Sequence, residues 1–343
     1  MLKRSCQWTW SELQIKAIKK GPRTHSNHNP RETSELPETH LSRLLDNGDF
    51  VITAEIGLPR GSDRTIIDEK VKAVSDYCDS INVPDNPLGN PSMASPIASY
   101  FVLEAGAEPI MQICMRDRNR IAVQSSLYGA HALGVRNVLL VTGDSSEHGC
   151  YPDAKSVFDI DSVQALDLAT LLAEGFNIEG EEIEGVPEFY IGATFNPYAT
   201  PIDEHVLRTE EKVRAGARFF QTQCIFDVTP LERFLRRADH LDLRVLAGVV
   251  PLQSPEMALF MNDNVPEVTV PEKYIKRLED AADGLEPEEV LKATRPVGLE
   301  IALEIIEDLR RLDIQGLHIM GVGWEESVVE IVKRLGMHPR PKR

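Results

Sequence analysis

The chain has 343 residues, of which 42% are hydrophobic and 27% are charged, so it is long enough and apolar enough to bury one large core. Its formal net charge of −17 argues against general affinity for nucleic acid or for an anionic membrane surface. The sequence has neither a run of about 18 apolar residues nor a secretory pattern at its start, so it predicts a cytoplasmic protein without a membrane span.

The start of the chain differs from the rest in charge. Residues 1–31 contain seven lysines and arginines and one glutamate, a balance of +6 on an otherwise acidic chain. We therefore interpret residues 1–40 as a basic N-terminal extension and residues 41–343 as the catalytic domain. The extension could dock on its own domain, contact a second copy or a partner subunit, or be a disordered tail, and the sequence leaves these alternatives open.

The cysteines and histidines bear on redox compartment and metal binding. The five cysteines are scattered and form no CxxC pair, which is typical of free thiols in a reducing compartment. The nine histidines show no HExxH or similar spacing, so no metal site is predicted.

From residue 41 onward, short apolar segments alternate with amphipathic ones. The apolar segments are rich in β-branched residues and predict strands at residues 50–56, 80–83, 109–114, 137–142, 188–194, 218–223, 244–250 and 316–320. Amphipathic segments predict helices at residues 66–77, 121–133, 204–215, 230–238 and 289–312. Because parallel neighbours need a crossover helix, eight such units predict an α/β protein with a closed (β/α)8 TIM barrel.

Two longer segments, residues 145–187 and 262–288, interrupt the alternation, and the second contains the helix-like PEKYIKRLEDA. A doubly wound open sheet is the rival architecture, and it would place a glycine-rich phosphate loop after its first strand. The first strand is followed by GLPRGSD, which lacks the GxGxxG pattern. This difference favours the barrel.

Polar residues follow most of the predicted strands. The active site of a (β/α)8 barrel lies at the carboxyl ends of its strands, so these residues are expected to converge on one rim. They are Glu55, Asp85, Asn86, Arg116, Asp117, Arg118, Asn119, Asp144, Asn196 and Gln223.

Glu55 is the candidate general acid. Its neighbours Ala54 and Ile56 are apolar, and removal from water raises the pKa of a carboxyl group toward the range a general acid needs. The alternative is a surface glutamate paired with Arg60.

Asp144 and Gln223 are candidate ligand-binding residues. An ionised Asp144 can accept two N–H bonds from an aminopyrimidine-type ring, whereas an aspartate after a glycine is also a common helix cap or turn residue. The amide of Gln223 in an apolar strand needs partners, which could be the edge of a ligand ring or the backbone.

The RDRN segment places two arginines at the end of the third strand. Arg116 or Arg118 could hold phosphates. In the alternative, Asp117 and Asn119 cap the next helix while the arginines form salt bridges.

Several segments, in their order along residues 45–335, together resemble methylenetetrahydrofolate reductases. These segments are TAEIGLPRG, NVPDNP, QICMRDRN, NVLLVTGD, GATFNP, EEKVRAGARFFQTQCIFD, GVVPL and VPEVTVPEKYIKRLED. The resemblance is to the branch that some bacteria fuse to homocysteine methyltransferase modules. It implies a (β/α)8 barrel with FAD on the carboxyl rim, NADH or NADPH as electron donor, and a tetrahydrofolate one-carbon substrate. The implied setting is methionine biosynthesis.

The resemblance also implies roles for individual residues. Glu55 matches the acid that protonates the bridging nitrogen of the folate, and Asp144 matches the carboxylate that binds the pterin and tunes the flavin. Gln223 matches an amide that hydrogen-bonds the pterin, and Lys212 matches a basic residue near the flavin phosphates. Phe260 or Met261 stands where the family has an aromatic residue that covers the substrate.

Some flavin-facing positions depart from the family pattern. Gln112, Thr142 and Phe195 stand where the better-known members have a histidine, an arginine and a tyrosine. The resemblance therefore implies that FAD is held by other contacts, such as Gly143 and the RDRN segment, or that it is bound weakly or not at all. The leading hypothesis is an FAD-dependent reductase that runs in either direction. The alternatives are a folate-binding subunit that depends on a partner protein or a direct hydride donor, and a methyltransferase that acts on a corrinoid protein.

Overall fold

Eight parallel strands close into a barrel in which each strand pairs with the next along the chain and the last pairs with the first. In this computed structural model, residues 37–265 and 267–341 are described. The strands are β1 (Val51–Glu55), β2 (Ser80–Val83), β3 (Pro109–Cys114), β4 (Asn137–Val141), β5 (Tyr190–Phe195), β6 (Phe219–Cys224), β7 (Val245–Val249) and β8 (Gly316–Met320). All eight predicted strands are present, and the predicted (β/α)8 fold is confirmed.

The helices of the described residues lie outside the barrel, apart from the first. They are α1 (His40–Asn47), α2 (Thr65–Val74), α3 (Ser95–Glu104), α4 (Arg120–Ala132), α5 (Ser162–Ala173), α6 (Ile202–Arg214), α7 (Thr229–Arg237), α8 (Pro255–Asn264), α9 (Glu272–Ala282), α10 (Pro287–Leu309) and α11 (Glu326–Arg334). The long segment after β4 contains α5, whose leucines and alanines are buried, so it completes a βα unit. None of these helices is long and apolar enough to cross a membrane.

Helix α1 closes the amino end of the barrel. It begins after Thr39, whose side chain accepts the N–H of Ser42 in a capping box. Leu41, Leu44 and Leu45 then pack into a cluster with the lowest layer of inward side chains from the strands. Because this end is filled, a ligand can reach the barrel interior only from the carboxyl rim. The proposed division at residue 40 stays a prediction, and residues 1–36 lie outside the described residues.

A buried ion pair ties the end of the chain to the same amino end. Asp79 is fully buried and accepts hydrogen bonds from Arg340 Nη2 at 2.5 Å, Arg340 Nε at 3.1 Å and the backbone N–H of Ile52 at 2.8 Å. His40 Nε2 lies 3.7 Å from the same carboxylate. Burial opposes ionisation, but the contacts with His40 and Arg340 outweigh it and hold the pKa of Asp79 below its usual value.

Removing Arg340 should therefore destabilise the fold, because it leaves a buried carboxylate without its cation. We expect Arg340→Ala to lower the free energy of unfolding by about 3 kcal/mol at pH 7, measured by urea denaturation. Asp79 stabilises the fold as the carboxylate, so the difference should shrink as the pH falls through its lowered pKa. Arg334→Ala is the matched control on exposed α11 and should change stability by less than about 0.5 kcal/mol. Equal effects of the two variants would contradict this role for Arg340.

Candidate active site

Glu55 ends β1 with its carboxyl group just below the carboxyl rim. Its side chain is 26% exposed, and its Oε2 accepts a hydrogen bond from Gln112 Nε2 at 2.9 Å. Burial raises the pKa of Glu55 to about 7, although the bond from Gln112 acts in the opposite direction. Arg60 forms no ion pair with Glu55 among the described residues, so the alternative of a surface Glu55–Arg60 pair is wrong. Glu55 thus has the protonation range of a general acid near neutral pH.

A neutral histidine is the second neighbour of this carboxyl group. His318 on β8 is buried, and its Nε2 lies 3.9 Å from Glu55 Oε2. Burial lowers the pKa of His318 to about 3, so the ring carries no charge at neutral pH. A charged imidazole would pull the pKa of Glu55 down, whereas a neutral ring leaves it raised.

A layer of polar side chains lies inside the barrel beneath Glu55. His318 Nδ1 is 3.0 Å from Thr53 Oγ1, and Gln221 Nε2 donates to the same Thr53 oxygen at 3.3 Å. The amides of Gln221 and Asn82 exchange two hydrogen bonds of 2.7 and 3.0 Å. All four groups are buried and bonded to one another, so they hold the His318 ring in place without adding charge.

The sequence analysis did not identify Thr53, Asn82, Gln221 or His318. Each is a polar residue within an otherwise apolar strand, and that was the available signal. Their pairing depends on strand register, which places Thr53 opposite His318 across β1 and β8.

Gln223 lies half-buried on β6, two residues beyond Gln221, and therefore on the same inward face. Its Oε1 accepts the N–H of Cys224 at 3.0 Å. Among the described residues its Nε2 has no acceptor, so the amide donor is available to a ligand. The backbone alternative thus accounts for one end of the amide only.

Asp144 is exposed three residues beyond β4, and its carboxylate makes no hydrogen bond within the described part of the chain. Ser145, rather than Asp144, caps the short 3-10 helix Ser146–His148 by accepting the N–H of Glu147. The cap interpretation of Asp144 is therefore wrong. Glu55, Asp144 and Gln223 come from β1, β4 and β6 at the same rim, although no direct hydrogen bond joins them.

The carboxyl end of β3 is fixed by two arginine–aspartate pairs. Arg116 is 2% exposed and donates to Asp117 at 2.7 and 2.8 Å. It also donates to the backbone carbonyls of Asn86 at 2.8 Å and Asp144 at 3.3 Å. Arg118 pairs with buried Asp85. The salt-bridge alternative therefore describes both arginines, and a contact with phosphates would require them to exchange partners.

Asn119 is the N-cap of α4 and accepts the N–H of Ala122 at 3.0 Å, as the capping alternative predicted. Asp117 faces Arg116 and does not cap the helix. A cavity of about 660 Å³ adjoins this helix end and is lined by Asn119, Arg120 and Asp159 among others. None of the residues around Glu55 lines it, so it is separate from the candidate site.

Gly143 and Thr142 form the exit from β4. Gly143 has a φ of +88°, and a Cβ there would lie 2.1 Å from Cys114 Sγ, so only glycine fits. Thr142 is exposed, and its carbonyl accepts the N–H of Arg116 at 3.0 Å. These contacts set the path that carries Asp144 onto the rim.

Lys212 and Phe195 lie around β5. Lys212 Nζ donates to the carbonyl of Thr194 at 2.6 Å, and burial lowers the pKa of this lysine to about 8. The Phe195 ring is 6% exposed and stacks on Phe234 of α7 at 4.3 Å. Its side chain therefore packs in the layer between barrel and helices, and only its backbone can contact a cofactor.

The structure separates the two candidates for covering the substrate. Phe260 on α8 is 50% exposed, whereas Met261 is 7% exposed and packs in the core. Phe260 is therefore the side chain that is available to a ligand.

The cysteines are free thiols where the structure describes them: Cys78, Cys114 and Cys224 are buried and Cys150 is exposed. Cys6 lies outside the described residues. The prediction of unpaired cysteines is confirmed for these four.

Comparison with known proteins points to one family. A family model described as methylenetetrahydrofolate reductase matches residues 40–336. Methylenetetrahydrofolate reductase 1 of Schizosaccharomyces pombe is 24% identical over 70% of this chain and 38% of its own length. The 5,10-methylenetetrahydrofolate reductase of Escherichia coli is 25% identical over 60% of this chain and 62% of its own length. The chain thus spans less than two thirds of these relatives.

Among solved structures, an uncharacterized protein from Clostridium thermocellum that binds two copies of 5-methyl-5,6,7,8-tetrahydrofolic acid superposes with a TM-score of 0.60. The superposition covers 87% of this chain and 99% of the other at 14% sequence identity, which supports the fold alone. The bacterial branch suggested by the sequence motifs stays a prediction.

Replacing Gln112 should shift the titration of Glu55 in a known direction. The Gln112 N–H stabilises the carboxylate, so Gln112→Met should raise the pKa of Glu55 further above its value of about 7. The carboxyl C=O stretch followed by infrared difference spectroscopy against pH measures this, and Glu55→Gln assigns the band. Gln124→Met on α4 is the control and should leave the midpoint unchanged. A lower midpoint in Gln112→Met would refute the hydrogen bond.

Proposed function

Because this chain belongs to the methylenetetrahydrofolate reductase family, we propose that it interconverts 5,10-methylenetetrahydrofolate and 5-methyltetrahydrofolate, with Glu55 as the general acid. The observation that carries the proposal is a carboxyl group with a pKa of about 7 at the rim of the barrel, beside a neutral histidine. The names of the curated relatives and the tetrahydrofolate bound by the structural neighbour support a folate substrate. The proposed setting is the cytoplasm, in the supply of methyl groups for methionine or in the reverse oxidation.

The proposed role of Glu55 is to protonate the bridging nitrogen of the folate. Because Oε2 accepts the bond from Gln112, Oε1 carries the transferable proton. Protonation of the nitrogen lets its bond to the one-carbon unit break, and the electron pair of that bond stays on the nitrogen. The other nitrogen then holds the carbon as an iminium ion that accepts hydride. His318 supports this step by filling the space beside Glu55 without a charge that would ionise it.

Asp144 and Gln223 are proposed to orient the pterin. The free carboxylate of Asp144 can accept two N–H groups from the aminopyrimidine edge, and the free Nε2 of Gln223 can donate to a ring acceptor. Phe260 is proposed to cover the ring from α8, since it is exposed while Met261 is buried. These three contacts would set the distance between the folate nitrogen and Glu55.

The rim residues fit a flavin in part. FAD, when bound, supplies the hydride and is itself reduced by NADH or NADPH. The exposed end of β4 leaves room for a flat ring, so Gln112, Thr142, Gly143 and Asp144 would hold it, with Lys212 near its phosphates. Phe195 would contribute its backbone. We propose that Arg116, Asp117, Arg118 and Asn119 support the cofactor by fixing the loops after β3 and β4, since their polar groups already have protein partners.

A second candidate function is a folate-binding subunit that receives electrons from a partner protein or a direct hydride donor. The engaged arginines and the buried Phe195 ring favour it, because they leave fewer free groups for FAD than the family pattern has. The absorbance spectrum of the purified protein distinguishes the two. We expect a flavin spectrum that NADH or NADPH bleaches. A colourless protein that takes up no FAD, yet binds methyltetrahydrofolate, would favour the subunit.

Glu55→Gln should abolish folate reduction while leaving flavin reduction by the nicotinamide intact. Loss of a general acid costs about a hundredfold or more in the rate of the folate half-reaction, measured by stopped-flow absorbance. In the parent protein this rate should fall as the pH rises above about 7, because Glu55 loses its proton there. Glu69→Gln, on the exposed face of α2, is the control. Equal loss of both half-reactions in Glu55→Gln would mean that Glu55 is structural.

A further inference from the structure

Arg295 on α10 is a half-buried arginine near the carboxyl rim that has no carboxylate partner among the described residues. Its Nη2 donates to Gln253 Oε1 at 2.8 Å, and its guanidinium lies 4.8 Å from the centre of the Trp324 ring. Its Nε is buried without a hydrogen bond. In a protein of net charge −17, an arginine that pairs with no acid keeps its charge available for an anion.

The contacts around Arg295 hold it in a fixed position. A Cβ on Gly298 would lie 1.7 Å from the carbonyl oxygen of Leu252, so α10 rests directly on the loop after β7. Thr294 Oγ1 donates to the carbonyl of Gln253 at 2.5 Å. A guanidinium held by packing loses little entropy on binding a ligand, which favours recognition.

Gln253 extends this fixed group to the loop after β8. Its Nε2 donates to the carbonyl of Val322 at 3.0 Å. Val322 is 59% exposed and has a φ of +49°, a conformation that β-branched residues rarely adopt. Strain of this kind persists only where the surroundings impose it, and it is often found at ligand-binding sites.

The group lies next to the proposed proton donor. Gln253 follows β7 and Trp324 follows β8, and β8 pairs directly with β1, where Met320 is opposite Glu55. A folate with its bridging nitrogen at Glu55 carries its glutamyl carboxylates on the far side of a benzoyl ring. Those carboxylates must therefore reach beyond the rim, where the loops after β7 and β8 lie.

We propose that Arg295, positioned by Gln253 and Trp324, binds the carboxylates of the glutamyl end of the folate and so determines specificity for folates over simple pterins. The proposal rests on the folate function proposed above. The planar guanidinium matches a carboxylate, and its Nε lacks a partner that such a ligand could supply.

Comparing ligands with and without the glutamyl end tests the assignment. Binding of 5-methyltetrahydrofolate and of 6-methyltetrahydropterin, which lacks that end, is measured by calorimetry for the full chain and for Arg295→Gln. We expect the variant to bind 5-methyltetrahydrofolate about 10- to 100-fold more weakly, as for a lost charge-assisted hydrogen bond, and the pterin equally well. Arg295→Lys should recover part of the affinity, since it keeps the charge. Arg310→Gln, an exposed position at the other end of α10, should change neither ligand.

Equal weakening of both ligands in Arg295→Gln would overturn the proposal, because a residue that only supports the loops affects the whole site. Unchanged binding of 5-methyltetrahydrofolate would overturn it as well. Failure of the folate function itself has a different signature, because the parent protein would then bind neither ligand.

Discussion

The removal of one carboxyl group from water governs the chemistry of this rim. Glu55 stands at the end of a strand whose other residues are buried, and the groups that reach it are the amide of Gln112 and an imidazole without charge. A cation at the position of His318 would hold the pKa of Glu55 down, and full exposure would return it to its ordinary value. The surrounding structure has one consistent electrostatic effect: it supplies polar contacts and withholds positive charge. Acid chemistry near neutral pH depends on that combination.

The barrel maintains this environment through its interior. Below Glu55, the uncharged side chains of Thr53, Asn82, Gln221 and His318 satisfy one another, so the interior pays no cost for an unpaired polar group. Below them the interior is apolar, and α1 closes it. Water is therefore excluded from beneath and can enter only from the rim, where a bound substrate would displace it.

The eight strands and the position of Glu55 could be predicted from the sequence because both depend on local information. A buried parallel strand is a short apolar run, and a glutamate within one is conspicuous. The partner His318 could not be found in this way, since Thr53 and His318 are 265 residues apart in the chain and meet only because the barrel closes. The face that each residue of a strand occupies was equally inaccessible. Phe195 ends its strand as a candidate for ligand contact, yet its ring points away from the interior and packs on Phe234.

Charge is distributed around the rim in two different ways. Between β2 and β4, Arg116 and Arg118 are each matched by an aspartate, so that side is fixed in shape and nearly neutral. Between β7 and β1, Arg295 has a glutamine and an indole as neighbours, and its charge is not neutralised by an acid in the described part of the chain. An anion arriving at this acidic protein therefore meets an attractive field on one side of Glu55 only. Such an asymmetry would orient a ligand that is neutral at one end and anionic at the other, with its neutral ring toward β4 and β6 and its charge toward α10.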